Sequence, residues 1–252
     1  MSKADNMNQK KLASQAFNPE KIQDLLLYRD GLILVLNKPS GMPVHKGSGP
    51  YIPFDSYFGA FQYGLKNPPC LAHRLDRETS GCLVLGRHPK ALRRLSDLFS
   101  SNLIEKTYLA IVHNAPDKPE GIINLPLMPK TEQSNRWHMK IDPLGKPAIT
   151  RYRILEQFGL FTLLELKPET GRTHQLRIHT DESGFPIVGD SIYFSNCPVK
   201  EQKSNQLYLH AYRVRIPYNK NKEAITVTAP LPEHFTKILN EFNASFVTKN
   251  EN

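Results

Sequence analysis

Short apolar runs bounded by glycine and proline organise the first half of the chain. Residues 31–37 and 82–85 are continuous apolar runs with the length of buried strands. Between them, residues 39–69 hold too many prolines and glycines for long regular elements, so we expect at most a short helix near residues 57–66. From Pro89 onward, leucine and phenylalanine recur three and four residues apart, as in an amphipathic helix. The pattern predicts the order strand, loop, strand, helix.

Alternating apolar and β-branched positions dominate the second half. Further strands are predicted over residues 106–112, 149–155, 160–166, 207–216 and 224–228. The second and third of these flank a Glu-Gln-Phe-Gly turn at residues 156–159 and form a hairpin, and a last helix follows Pro232. Hairpins and long loops interrupt any regular alternation of strand and helix. We therefore predict an α+β fold with a mixed, mainly antiparallel central sheet and flanking helices and loops.

The ends of the chain have no hydrophobic period. Residues 1–20 are expected to form a flexible polar leader and residues 247–252 a polar tail. The polar stretch at residues 195–206 is predicted to be a surface loop. A chain of 252 residues is long enough for a genuine core, and we expect a single domain over residues 21–246.

The composition argues against a membrane-spanning, a secreted and a disulfide-rich protein. No run of about 18 apolar residues is present, which argues against a membrane span. The N-terminus lacks the apolar segment of a secretory signal. Three scattered cysteines do not make a disulfide scaffold, so we expect a cytoplasmic protein.

The net charge points to a polyanionic partner. The chain has 33 basic and 24 acidic residues, for a formal charge of +9. The excess is spread over the folded body, which favours nucleic acid slightly over a merely basic surface. Charge alone leaves both interpretations open.

Two polar clusters could carry chemistry. Residues 72–81 are dense in charged side chains and directly precede an apolar strand, which would hold the loop at a sheet edge. Residues 169–179 gather Arg172, His174 and Arg177 near a predicted helix start capped by Thr173, an arrangement suited to an anion. A solvated loop and a structural ion-pair network are the alternative interpretations.

Metal and cofactor chemistry have little support in the sequence. His174 and His179 have the spacing of half a zinc site, but the other half is missing. The glycine-rich phosphate and dinucleotide motifs and the hydrolase nucleophile elbow are also absent. We predict that the protein needs no metal and no cofactor.

The two clusters carry a family resemblance. His-Arg-Leu-Asp-Arg-Glu-Thr-Ser-Gly at residues 73–81 resembles the H-R-L-D-x-x-T-S-G signature of the RluA family of RNA pseudouridine synthases. Further similar segments follow the family's order. They are Asn-Lys-Pro-Ser-Gly at residues 37–41, Lys-Thr-Tyr at 106–108, Gly-Arg-Thr-His-Gln-Leu-Arg-Ile-His at 171–179, Val-Gly-Asp at 188–190 and Leu-His-Ala at 209–211.

The resemblance implies a pseudouridine synthase fold and a reaction that detaches uracil from its ribose, turns it and rejoins it through carbon 5. By carry-over, Asp76 is the catalytic carboxylate, acting as nucleophile or base. Tyr108 is similar to the active-site tyrosine that stacks on uracil and assists proton removal. Arg172 is similar to the partner of the catalytic carboxylate. Many relatives carry a small RNA-binding domain before the catalytic domain, and we expect none here.

The resemblance also implies substrate contacts. Arg74 is similar to the arginine that fills the space left by the flipped nucleotide, and we assign His73 and Arg177 to substrate binding or to loop geometry. The expected partner is ribosomal or transfer RNA, bound by a monomer without a membrane or an obligate protein partner. Backbone contacts are expected from the basic surface, including Lys38, Lys46, Arg136 and Lys140.

Two alternatives belong to other classes. One is an RNA-binding protein that kept the fold and lost catalysis, against which the presence of Asp76, Tyr108 and Arg172 argues. The other is a glycoside hydrolase that uses Asp76 and Glu78 as a carboxylate pair. Two carboxylates so close in one loop need not converge, and the chain has one tryptophan, Trp137, to stack on a sugar.

Overall fold

The computed structural model describes residues 19–47, 51–130, 138–195, 206–219 and 221–248. The chain divides into two compact units, Met1–Ile104 with Arg213–Pro230 and Glu105–Tyr212 with Leu231–Asn252. Each unit has its own strands and helices. The single catalytic domain and the two polar ends expected from the sequence stay predictions.

An antiparallel sheet forms the centre of the first unit. Its strands are β1 (Leu26–Arg29), β2 (Ile33–Lys38), β3 (Cys70–Leu71) and β4 (Ser80–Gly86). Strand β2 pairs with both β1 and β4, and β3 pairs with the end of β4. Every residue of β4 is buried, which explains the continuous apolar run at residues 82–85 within it.

One helix covers a face of this sheet. Helix α1 spans Pro89–Ser100, with Pro89 in its first turn and the His88 Nδ1 atom accepting the Ala91 amide proton at 3.2 Å. Leu95 and Leu98 of α1 pack in one apolar cluster with buried residues of β2 and β4. A Cβ on Gly86 would stand 2.8 Å from the backbone of the helix, so glycine is required where β4 meets α1.

The second unit is built on a larger antiparallel sheet. Its strands lie in the order β5 (Glu105–His113), β10 (Phe161–Pro168), β9 (Ile149–Phe158) and β6 (Glu120–Asn124). A two-stranded ribbon is formed by β7 (Leu127–Pro129) and β8 (Met139–Ile141). Strand β11 (Leu209–Ile216) runs from this unit into the first, where its end pairs with β12 (Ile225–Thr228).

Helices bury both faces of the second sheet. Helix α2 (Gln175–Glu182) contributes Leu176 to the apolar cluster on one face, and α3 (Glu233–Glu241) contributes Phe235 and Leu239 to the cluster on the other. A last short helix, α4, covers Ser245–Thr248. Alternate residues of β5 face the two clusters, as the period of a strand requires.

The α+β class and the mainly antiparallel pairing are confirmed, and so is the hairpin of β9 and β10. Its turn lies at residues 159–160, however, because β9 continues to Phe158. In the loop-rich region, a 3₁₀ helix covers Phe54–Phe61, somewhat before the expected position. Most of the predicted loop at residues 195–206 lies outside the described residues. No helix among the described residues is both long and apolar enough to cross a bilayer.

Candidate active site

The loop that carries Asp76 joins β3 to β4 in the first unit. The Val84 amide donates to the His73 Nε2 atom at 2.9 Å, and the His73 ring stacks on Phe99 with 4.6 Å between ring centroids. An accepting Nε2 places the ring proton on Nδ1. His73 therefore ties the start of the loop to β4 and α1, and its assignment to substrate binding stays a prediction.

Asp76 stands at the turn of this loop. Its side chain is half-buried, and its carbonyl accepts the Thr79 amide proton at 3.2 Å. Arg74, two residues earlier, is exposed. The turn thus places a half-buried carboxylate beside a guanidinium that is open to solvent.

Lys38 holds the other side of the loop. Its side chain is fully buried, and its Nζ donates to the carbonyls of Pro39, Met42 and Arg77 at 2.7, 2.9 and 3.0 Å. Three acceptors match the three donors of an ammonium group. Burial lowers the pKa of Lys38 to about 7, while the carboxylates of Glu78 and Asp76 act against this shift. The expectation that Lys38 contacts RNA is therefore wrong, because its charge is used inside the protein.

Neighbouring contacts complete the loop. The Ser40 hydroxyl donates to the Glu78 carbonyl at 2.6 Å, and the Glu78 carboxylate pairs with Arg77 at 2.5 Å. The Arg77 guanidinium lies 4.6 Å from the centre of the Tyr51 ring. The Glu78 carboxylate therefore has the Arg77 guanidinium as its partner within the loop.

Tyr108 lies in the second unit, on strand β5 opposite Leu166 of β10. It is partly buried and shares a strand face with Lys106 two residues earlier. Lys106 Nζ lies 4.0 Å from the point where a Cβ would stand on Gly171, beside the second polar cluster. Burial lowers the pKa of the Lys106 ammonium group. The second unit thus brings an aromatic ring and a cation to one strand face.

Arg172 lies in the turn between β10 and α2. It is exposed, and its Nε donates to the Pro147 carbonyl at 3.1 Å. The Gln175 side-chain oxygen accepts the Arg172 amide proton at 3.0 Å. The expected helix cap at Thr173 is wrong: His174 occupies that position with a left-handed φ of 54° and no capping bond from its side chain. The pairing of Arg172 with Asp76 stays a prediction.

Arg177 is buried in α2. Its guanidinium forms a two-pronged ion pair with Asp190, at 2.6 and 2.7 Å, and lies 5.4 Å from the centre of the Tyr193 ring. The sequence interpretation assigned Arg177 to substrate binding or loop geometry. The observed contacts favour the second role, in which Arg177 supports the polar cluster from within.

The remaining basic candidates differ in their surroundings. Lys46 is exposed, whereas Lys140 pairs with Asp142 at 2.7 Å, and Arg136 lies outside the described residues. His179 does not suit a metal, because Thr150 and the Leu125 carbonyl occupy its two ring nitrogens. Among the described residues, no group of three His, Cys, Asp or Glu side chains is placed to hold an ion. The sequence interpretation missed the supporting roles of Lys38, Thr150 and Tyr193, which are readable only from contacts.

Comparisons with known proteins agree with the motif resemblance. The family model described as RNA pseudouridylate synthase matches residues 32–182. An uncharacterized RNA pseudouridine synthase from Zymomonas mobilis is 40% identical over 214 residues, covering 84% of this chain and 96% of the relative. Ribosomal large subunit pseudouridine synthase C from Haemophilus ducreyi is 35% identical over 245 residues, covering 94% and 75%. The structure of human RNA pseudouridylate synthase domain containing 4 matches with a TM-score of 0.74 and 25% identity, covering 89% and 95%.

Proposed function

This chain belongs to the RNA pseudouridylate synthase family, and from that premise we propose that it isomerises a specific uridine of ribosomal RNA in the large subunit. The Haemophilus ducreyi relative, whose name states this substrate, aligns over nearly the whole chain and supports the choice over transfer RNA. The net charge of +9 fits a polyanionic substrate. We further propose that the protein acts as a cytoplasmic monomer without a metal or cofactor.

The proposed reaction conserves atoms and electrons. The bond from uracil N1 to ribose C1′ breaks, a bond from C5 to C1′ forms, C5 loses its proton and N1 ends with one. Asp76 is the carboxylate that acts on the nucleotide, Tyr108 stacks on uracil and assists removal of the C5 proton, and Arg172 partners Asp76. Arg74 occupies the space of the flipped uridine and offsets part of the cost of unstacking, a few kcal/mol.

The observation that carries the proposal is the fixed loop around Asp76. Lys38 and His73 tie the loop to the sheet on either side of a half-buried carboxylate. A reactive group must be held within about 0.5 Å of its productive position, and rigid strands give that precision better than mobile loops. A loop used only for binding RNA would not need this support for an acidic side chain, since carboxylates repel phosphate.

The test compares Asp76→Asn with Asp97→Asn, an equivalent change at an exposed position of α1. Ribosomal and transfer RNA from cells lacking the gene are incubated with each protein, and pseudouridine is mapped by mass spectrometry. We expect one new pseudouridine in large-subunit RNA with the wild type and Asp97→Asn, and none with Asp76→Asn. Product from Asp76→Asn would overturn the role of Asp76, and product confined to transfer RNA would overturn the proposed substrate.

A further inference from the structure

Helix α2 is short, polar and nevertheless buried along almost its whole length. Every residue of α2 from Gln175 to Asp181 is buried. Polar side chains in such a position must find partners inside the protein, because an unpaired buried polar group is costly. Gln175 and His179 lie one turn apart on the same side of the helix, so their partners belong to one network.

Gln175 lies directly beneath the Arg172 turn. Its side-chain oxygen accepts protons from the Arg172 amide at 3.0 Å and the Thr170 hydroxyl at 2.7 Å. Its side-chain nitrogen donates to the Ile149 carbonyl at 2.9 Å and the Thr150 hydroxyl at 3.1 Å. An amide proton can only be donated and a carbonyl can only accept, so the orientation of the Gln175 amide is fixed.

The network continues from Thr150 to His179. The His179 Nε2 atom lies 2.9 Å from the Leu125 carbonyl, which can only accept, so Nε2 carries the ring proton. His179 Nδ1 lies 2.9 Å from the Thr150 hydroxyl and accepts its proton. Burial lowers the pKa of His179, which agrees with a neutral ring. The donor and the acceptor are therefore determined for every hydrogen bond in the series that connects Leu125 to Arg172.

We infer that Thr150 is a positioning residue for Arg172, acting through Gln175. The Thr150 hydroxyl bonds both His179 and the Gln175 side-chain amide, and the oxygen of that amide accepts the Arg172 backbone amide proton. The backbone amide of Gln175 in addition donates to the Arg172 carbonyl at 3.2 Å, so Gln175 contacts both the amide and the carbonyl of Arg172. This inference rests on the proposed function, because the catalytic part of Arg172 belongs to that proposal.

The chain offers a matched control for a test of Thr150. Thr162 lies on β10 of the same unit, is 1% exposed, and donates its hydroxyl proton to the Asn114 carbonyl at 2.7 Å. Thr150, on β9, is 0% exposed. Thr150→Val and Thr162→Val each replace a buried strand threonine by a side chain of the same shape, and only the first cuts the network under Arg172. Thr150→Ser keeps the hydroxyl.

Two readouts separate positioning from stability. Residue-resolved hydrogen exchange of the Arg172 amide reports the turn directly, without any RNA. We expect Thr150→Val to raise this exchange severalfold, up to about tenfold, as loss of one hydrogen bond allows, and Thr162→Val and Thr150→Ser to leave it near the wild-type rate. At saturating RNA, the single-turnover rate of Thr150→Val should fall about tenfold or more, because small misplacements of a catalytic group can cost up to about hundredfold.

These measurements test the positioning role of Thr150 separately from the proposed function. Unchanged exchange of the Arg172 amide in Thr150→Val, or equal loss of rate in the two valine variants, would overturn the positioning role. Failure of Thr150→Ser to restore the exchange or the rate would do the same. If the wild type makes no pseudouridine while the exchange of Thr150→Val rises as expected, the proposed function fails and the positioning of the turn stands.

Discussion

Arg177 and Asp190 form a buried two-pronged ion pair that joins α2 to the segment that follows this helix. The two side chains are 3% and 0% exposed, and the Asp190 carboxylate also accepts the backbone amides of Ile192 and Tyr193. The Tyr193 hydroxyl accepts the Met139 amide proton at 2.8 Å and lies 3.0 Å from His174 Nδ1. One ion pair thus fixes the tyrosine that contacts the residue at the start of α2.

We predict that Asp190→Asn lowers the free energy of unfolding by about 3–5 kcal/mol, because it leaves the Arg177 charge buried without its counter-ion. The control is Glu233→Gln, which breaks an exposed pair with Lys237 on α3. Exposed pairs of this kind contribute little to stability, because water screens them. Urea unfolding of both variants measures the difference. Equal losses in the two variants would show that the buried pair does not stabilise the unit.

The sequence predicted the elements that have a local apolar pattern better than the elements that depend on their partners in the fold. The strands β2, β4 and β5 and the helix α1 follow from local apolar patterns, and they appear close to their expected positions. Strand β6 and the ribbon of β7 and β8 were missed, because all three strands are short and β6 pairs with the distant strand β9.

In the candidate site, too, some residues were predictable from sequence and others were not. Asp76, Tyr108 and Arg172 were located because each lies at a defined position of a sequence motif. The signature could not show that Lys38 is buried, because lysine side chains are almost never fully buried. It also could not show that Thr150 lies beneath Arg172, because the two meet through a side chain from a third segment.

We predict that Lys38→Met loosens the Asp76 loop. The change leaves three backbone carbonyls without their donor. It also removes the cost of burying a charge, so we expect a net loss of about 2 kcal/mol in the free energy of unfolding. Trypsin cleavage after Arg74 and Arg77 should become faster. Lys90→Met, at an exposed position of α1, is the control, and cleavage as slow as in that variant would contradict the role of Lys38.

Stability should fall in mild acid because of buried histidines. Burial lowers the pKa of His113, His179 and His234 below the usual 6.5. The unfolded chain therefore binds more protons than the folded one below about pH 6.5, and each histidine removes up to about 1.4 kcal/mol of stability per pH unit there. Above that pH the loss is absent.

Urea unfolding at pH 7.5 and pH 5.5 measures this dependence. Among the described residues, neither ring nitrogen of His113 has a hydrogen-bond partner. His113→Leu should therefore have the same free energy of unfolding as the wild type at pH 7.5. On going to pH 5.5, this free energy should fall less in His113→Leu than in the wild type. Equal free energies of unfolding for the wild type at the two pH values would refute the assignment of neutral, buried rings.

The last prediction separates catalysis by Arg172 from a simple phosphate contact. As partner of the catalytic carboxylate, Arg172 should matter for the rate at saturating RNA. Loss of one charged group of this kind typically costs about hundredfold or more. Arg172→Ala should show this loss, and Arg172→Lys should recover part of the rate, because lysine keeps the charge and lacks the planar fork. Because Arg172 is exposed, the thermal midpoint should change little.

A phosphate contact would give the opposite result. Each neutralised phosphate of a single strand contributes about 0.7 to the slope of log affinity against log salt. If Arg172 only bound phosphate, Arg172→Ala would reduce that slope by about this amount and leave the saturated rate unchanged. Arg151→Ala is the control, since Arg151 is an exposed arginine of β9 that pairs with Glu169. If the rate at saturating RNA is equal in Arg172→Ala and Arg151→Ala, Arg172 has no catalytic role. A lower rate in Arg172→Ala with an unchanged salt slope would support the catalytic role.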